Sequence, residues 1–283
     1  MLKVVEDLQR WAGIFSRVPL KQAVTCLALN ASHEWGISRT VRASHGHISE
    51  AGIEGAARIA IAMYRTIAPH VGDVRGKLGL EIGPGDNLGL AECFLAAGAR
   101  RVVCAEEFAT VRRSEELSRI IHETLGGSLA PPPELFLKLF ESLVETERFD
   151  FIYSVDVFEH VDDPAVAAQC IAKLLNPGGV SVQNVDFRGH NAYAKTKLDF
   201  LTCPDWLWGC LHSSLQTTNR VRFGQLVKDF EDAGLNLESL TPLEEAGDAY
   251  VEALRPYLNP RFAGLPTADL RVLQAIITCR RPD

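Results

Sequence analysis

The sequence predicts an α/β protein: a doubly wound, mostly parallel sheet, preceded by a helical extension and carrying a helical cap. Three observations lead there. A short apolar run, Leu78-Gly-Leu-Glu-Ile82, leads into a glycine turn and then an apolar stretch with no helix breaker. Strand-like runs then alternate with helical periodicity as far as Val185. The chain has 283 residues, 47% of them hydrophobic, enough for one sizeable core with appendages.

Taken in order, residues 1–75 read as helices. Val4, Val5, Leu8, Trp11, Ile14 and Phe15 recur near helical spacing, as do Ile53, Ala57, Ile59, Ile61, Met63 and Ile67. Leu78, Leu80 and Ile82 then form a buried strand, and a helix follows from about Leu88 to Ala97. Between them, Gly83 and Gly85 can take backbone angles closed to other residues and add no Cβ to block a ligand. Glu81 is a carboxylate on an otherwise apolar strand, costly to bury alone; a cationic ligand group over the turn would supply a partner. Arg101-Val-Val-Cys-Ala-Glu106 reads as a second strand ending in an acid, at the distance from the turn where an acid commonly accepts hydrogen bonds from a ribose diol.

The stretch between Glu106 and Phe149 is harder to read. Val111 to Leu125 reads as a helix, Pro131-Pro-Pro133 as a stiff break, and Glu134 to Glu145 as a second helix. A helical insertion is thus expected where a third strand would stand, a degenerate strand being the alternative. Phe149-Asp-Phe-Ile-Tyr-Ser-Val-Asp-Val-Phe-Glu-His-Val161 reads as a central strand running into a loop. Leu174-Leu-Asn-Pro-Gly-Gly179 ends a helix and introduces a strand through Val185. Phe223 to Ala233 is a helix that stops at Gly234, and "LNLESL" and "VLQAIITC" are late strands.

In this order the glycine turn, the acid at Glu106, the segment 149–161 and the segment 174–179 resemble the class I S-adenosylmethionine-dependent methyltransferases, over roughly residues 79–185. The resemblance implies a Rossmann-like sheet whose last strand is antiparallel. It implies S-adenosyl-L-methionine as cofactor, held by Glu81, Gly83, Gly85, Asn87, Glu106 and Asp156. Asp86-Asn-Leu-Gly-Leu90 and Asn219-Arg-Val-Arg222 are similar to methyltransferases of sugar and secondary-metabolite pathways, which implies a small-molecule acceptor methylated on oxygen. Three alternatives stay open, one of them a methyltransferase acting on RNA or protein, which the acidic balance disfavours. The glycine spacing also fits a nicotinamide-dependent oxidoreductase, although Glu81 and the motif order argue against it. A protein of this fold can also bind the cofactor without transferring methyl.

A sulfonium methyl is already activated, so the protein's task is to hold a nucleophile in line with it. An alcohol or phenol acceptor needs a base, and histidine suits neutral pH. His160 and His190 are the candidates, both placed just past strand ends; in the resembled family, the pair Glu159-His160 usually shapes the loop beneath the cofactor. His45 and His47 could bind substrate or metal, or simply form a loop. Trp206 and Trp208 wall a pocket or fill a core, and Arg220 and Arg222 grip an anionic substrate or bind helix ends and carboxylates. The expected division is a lid at 1–75 and a methyltransferase domain at 76–283, with a cap insertion at 188–225.

Composition narrows the partners. A net charge of −7 and a pI near 5.7 argue against a strongly basic nucleic-acid surface. Seven cysteines show no C-x-x-C pair and no zinc spacing, so no metal is expected and the compartment reads as reducing, hence cytoplasmic. No apolar run approaches the roughly 20 residues of a membrane span. A homodimer is left open.

Overall fold

In the computed structural model the described residues are 12–14, 16, 17, 24, 28, 47–107, 111–127, 131–189, 197–211 and 218–283, with backbone only at 47–50, 210 and 211. A seven-stranded sheet runs through the molecule: β1 Leu78–Ile82, β2 Arg101–Ala105, β3 Glu134–Phe136, β4 Phe149–Val155, β5 Leu175–Asp186, β6 Asn236–Glu245 and β7 Val272–Arg280. The spatial order is β3-β2-β1-β4-β5-β7-β6. β1 to β5 pair in parallel, and β7 is antiparallel to both β5 and β6. The chain steps outward from β1 to β3, then crosses back to lay β4 beside β1. This reversal opens a crevice at the carboxyl ends of β1 and β4, where doubly wound sheets bind ligands.

Strand alternation divides the core into two layers. Leu80, Ile82, Val103, Ile152 and Val185 face α4 (Pro164–Leu174) and α6 (Phe223–Asp232), meeting Ala168, Ile171, Leu226 and Phe230. Cys104, Phe151, Tyr153, Val182 and Ile276 face α1 (His47–Val71) and α2 (Gly89–Ala96), meeting Ile67, Val71, Phe94 and Leu95. Phe94 is the hub of that layer. Its ring lies 4.5 Å from that of Tyr153 and edge-on to Tyr64 at 5.1 Å. α3 (Glu115–Leu125) packs Leu117 and Ile121 against Ala57, Ala60 and Cys93. Sequence signals set the helix ends. Ser114 caps α3 through the Leu117 amide at 3.2 Å, with Gly126 left-handed after it, and Asp163 caps α4 through the Val166 amide at 3.1 Å.

The helix expected at 134–145 is corrected. Glu134–Phe136 is a short third strand, in register with Val103, Cys104 and Ala105, and only Phe140–Leu143 coils, as one 3₁₀ turn. The physical reason is tertiary. Pro131–Pro133 deliver an extended chain to the edge of β2. Arg101 then forks onto Glu134 and onto Glu147, the latter at 2.8 Å. Three residues are too few for local propensity to outweigh such pairing.

A helical segment also stands between the last two strands. Residues 246–271, between β6 and β7, are helical: α7 (Asp248–Leu254), a 3₁₀ turn at Arg255–Tyr257, then Pro260–Ala263 and Thr267–Arg271. They share one apolar cluster with the 3₁₀ turn Asp199–Thr202 and with α5 (Asp205–Leu211): Phe200, Leu201, Cys203 and Trp208 pack on Val251, Leu254, Leu258 and Phe262. This cluster lies beyond the carboxyl ends of β5 and β6. The described residues 198–208 supply one side of this cluster, and the segment between β6 and β7 supplies the other. The sequence signals that segment: the span between the two late strand runs is far too long for a hairpin loop.

The N-terminal segment touches the 3₁₀ turns beside this cluster. Arg17 stacks over the Tyr257 ring at 4.2 Å and its Nε lies 3.4 Å from Asp199 Oδ1. Ala60 of α1 stands against Gly89, at the entry to α2 beyond the carboxyl end of β1.

Candidate active site

The glycine turn at the end of β1 is left-handed twice, with φ of 67° at Gly83 and 76° at Gly85. The Gly83 amide donates to the Ala105 carbonyl at 3.0 Å, tying the turn to the end of β2. A Cβ on Gly83 would come within 2.7 Å of Val157 Cγ2, whereas a Cβ on Gly85 would meet nothing within 4 Å. Gly83 is therefore a packing requirement, and Gly85 faces open space. The Gly85 amide donates to Glu106 Oε2 at 3.3 Å, so the acid after β2 reaches back over the turn.

Asn87 is used inside the turn. Its Oδ1 accepts from the Gly89 amide at 2.9 Å and its Nδ2 donates to Asp86 Oδ1 at 2.9 Å, which fixes the entry to α2. The Arg112 amide donates to the Asp86 carbonyl, joining this turn to the segment after β2.

Glu81 is 4% exposed and lies between Cys104 and Tyr153 in the parallel register. Burial pushes its carboxyl up to about 8; contacts from Cys104, from the Tyr153 hydroxyl and from the Ala91 amide hold it lower than burial alone would.

Asp156 follows β4 with φ of 54°, the one non-glycine residue in the left-handed region among the described residues. Its amide donates to the Asn184 carbonyl at 3.0 Å and its Oδ1 accepts from Gln274 at 3.5 Å. Aspartate tolerates this conformation better than most side chains, and such residues cluster at functional sites.

His160 closes the 3₁₀ turn Phe158–His160, its amide donating to the Val157 carbonyl at 2.8 Å. His190 lies outside the described residues, as does His45, and the side chain of His47 does too.

Sequence reasoning gave Glu159 no chemistry of its own. It is 2% exposed, and its two carboxyl oxygens accept no hydrogen bond from the described residues. Burial, with Asp156 and Asp186 adding like charge, holds its carboxyl well above the usual range. Asn219 straps the turn over it, donating to the Phe158 and Val161 carbonyls at 2.8 and 2.9 Å.

The two arginines considered for an anionic substrate are committed elsewhere. Arg222 is 2% exposed and donates to the carbonyls of Phe187 at 2.7 Å, Val272 at 2.6 Å and Leu270 at 3.2 Å. Arg220 donates to the Cys203 carbonyl at 2.7 Å, pairs with Asp205, and lies over the rings of Trp208 and Phe262. Arg222 ties the start of α6 to the ends of β5 and β7, and Arg220 ties the segment before α6 to the cap. Trp208 is buried in that cap, and Trp206 is 64% exposed on its surface.

At the carboxyl ends of β5 and β6 a charged network closes the far side of the crevice. Arg188 forks onto Asp186 and reaches Glu244 at 2.6 Å, and Lys197 pairs with Glu244. Among the described residues no helix is long and apolar enough to cross a membrane.

Comparison with known proteins agrees with this geometry. A family model described as a methyltransferase domain matches residues 60–240, more than half of the chain. No curated protein matches. Solved structures similar to this chain include an S-adenosylmethionine-dependent methyltransferase from Mesorhizobium loti (19% identity, 81% of this chain and 100% of that one, TM-score 0.45). Others are an N-methyltransferase from Bradyrhizobium japonicum with S-adenosyl-L-homocysteine (13%, 87% and 97%, 0.47) and magnesium protoporphyrin IX methyltransferase from Synechocystis with its cofactor bound (12%, 93% and 98%, 0.46). The family match leaves the nicotinamide alternative without support: the chain belongs to the class I S-adenosylmethionine-dependent methyltransferases.

Proposed function

We propose that this methyltransferase acts on a small molecule, on an oxygen of a sugar or secondary metabolite. The observation that carries the reading is the cap. Residues 198–211 and 246–271 form one apolar cluster beyond the carboxyl ends of β5 and β6, beside the crevice at β1 and β4. A covered crevice suits an acceptor small enough to be enclosed, and enclosure excludes water from methyl transfer. The lid formed by 1–75 belongs to the same proposal, supported by the contacts of Arg17 with Tyr257 and Asp199.

Within this reading Gly83 and Gly85 leave room for the cofactor, Glu106 accepts from its ribose hydroxyls, and Asn87 shapes the turn. The space in front of Gly85, with Glu106 aimed across it, fits such a ligand. Glu81 and Asp156 bound its amino-acid end with negative charge. When bound, the cofactor supplies an activated methyl group. His190 is the proposed base that takes the acceptor's proton, with His160 second. The five described cysteines are unpaired, in keeping with a reducing cytoplasmic setting.

Incubating the protein with tritiated S-adenosylmethionine and fractionated small-molecule extracts tests the reading. Labelled low-mass product supports it. Label only in RNA or protein, or cofactor binding with no transfer to any fraction, counts against it.

A further inference from the structure

The cofactor reading leaves open how a buried acid could serve a cationic ligand. Glu81 stands in the middle strand of three, with Cys104 beside it on β2 and Tyr153 beside it on β4. The Tyr153 hydroxyl donates to Glu81 Oε2 at 3.3 Å and Cys104 Sγ lies 3.6 Å from the same oxygen. Both neighbours are fully buried, and both are weak acids that burial keeps neutral. From α2, Cys93 is likewise kept protonated by burial and by the nearby Glu81 and Glu92, and the Ala91 amide reaches the Glu81 carboxyl. Tyr64 of α1 stands behind Phe94 and is also held protonated. Arg65 and Arg113 act on Cys93 and Cys104 respectively. The charged group that acts on Glu81 is Glu106, a like charge across the glycine turn. Donors thus hold the carboxyl in place while its surroundings disfavour its charge, and a cation on the side of the turn would favour that charge.

We propose that cofactor binding is coupled to release of one proton from Glu81, with Tyr153 as the positioning residue that makes the switch possible. The inference rests on the cofactor reading above. In the empty protein Glu81 is a carboxylic acid accepting from Tyr153. Arrival of the ligand's cationic end draws the O–H proton off to solvent, leaving a carboxylate that still accepts from Tyr153 and now faces a positive charge. No other bond forms or breaks. Tyr153 contributes because its hydrogen bond favours the carboxylate, which brings the switch down to the neutral range; burial alone would push the carboxyl higher still.

The test is calorimetry of S-adenosylmethionine binding from about pH 6.5 to about pH 9.5, repeated in buffers of different ionisation enthalpy. With the free carboxyl near 8, affinity relative to that of Glu81→Gln should fall roughly twenty-fold from about pH 8.5 to about pH 6.5, with close to one more proton released at pH 7 than by that variant. The ligand's own amine titrates near pH 8, so Glu81→Gln is the reference: it should show only that ligand contribution and release no proton. Tyr153→Phe should bind several-fold more weakly at pH 7 and converge on wild type by about pH 9.5; a purely structural loss would weaken binding equally at every pH. Wild-type and Glu81→Gln profiles that superimpose, or a Tyr153→Phe defect that does not change with pH, would overturn the coupling while leaving the cofactor site intact. Absence of wild-type binding at every pH would remove the cofactor reading and the coupling with it.

Discussion

The Gly85 amide donates to Oε2 of Glu106 across 3.3 Å. Two strand ends are thereby joined at one point: the turn after β1 and the acid after β2. The open space in front of Gly85 lies beside that contact, and it is there that the proposed function seats the ligand's sugar.

Gly83 and Gly85 should fail differently. Gly85→Val places a branched side chain in open space at a left-handed position, a backbone cost of about 1–3 kcal/mol. Cofactor affinity should be lost while circular dichroism is kept and the melting temperature falls by only a few degrees. Gly83→Val adds a collision with Val157, so its melting temperature should fall as well. Normal cofactor binding by Gly85→Val would show that the ligand lies elsewhere.

Arg222 should matter for stability and not for ligand affinity. Its guanidinium serves three carbonyls in the interior, and each one left unpaired costs about 1–3 kcal/mol. We expect Arg222→Ala to lower the melting temperature by roughly 10 °C or more, with cofactor affinity unchanged at temperatures where the variant is folded. A loss of affinity without a loss of stability would return Arg222 to the binding site.

Glu159 should cost the fold stability as pH rises. Its folded carboxyl titrates above its unfolded value, so the native state holds more protons and stability declines as pH climbs from about 4.5. Glu159→Gln removes the charge but keeps the shape. The variant's melting temperature should match wild type near pH 4.5 and exceed it by a widening margin toward pH 8. A margin that stays constant with pH would mean that the carboxyl is not held neutral.

The proposed base and lid are tested by turnover. His190→Ala should lower it by about a hundredfold or more with little change in cofactor affinity, and deleting residues 1–40 should spare cofactor binding but abolish turnover. Normal His190→Ala turnover from about pH 6 to about pH 9 would remove this residue from the chemistry.

Local signals carried much of this structure. The strand, glycine turn and helix at 78–97, the acid at Glu106 and the central strand at 149–155 were legible because backbone geometry and burial impose their residue types directly. The antiparallel β7 followed from the resemblance. What stayed hidden depends on contacts far apart in the chain. β3 is held by Arg101 reaching across 33 positions to Glu134. Glu159 is sealed by Asn219, some 60 positions away. The second half of the cap has no motif, only a connection too long for a hairpin. Arg220 and Arg222 carried two readings, anion ligands or partners of helix ends and carboxylates, and the second holds; a buried arginine bonded to carbonyls leaves no mark on the sequence different from one that waits for an anion.

The most direct measurement is a calorimetric titration of S-adenosylmethionine into wild type and into Glu106→Ala at one pH, with a nicotinamide dinucleotide as control. Wild type should bind the methyl donor and not the control. Removing a charged acceptor whose hydrogen bonds are each worth about 1.5–3 kcal/mol should weaken binding tenfold or more. Equal affinity in the two proteins would contradict the placement of the cofactor between Gly85 and Glu106.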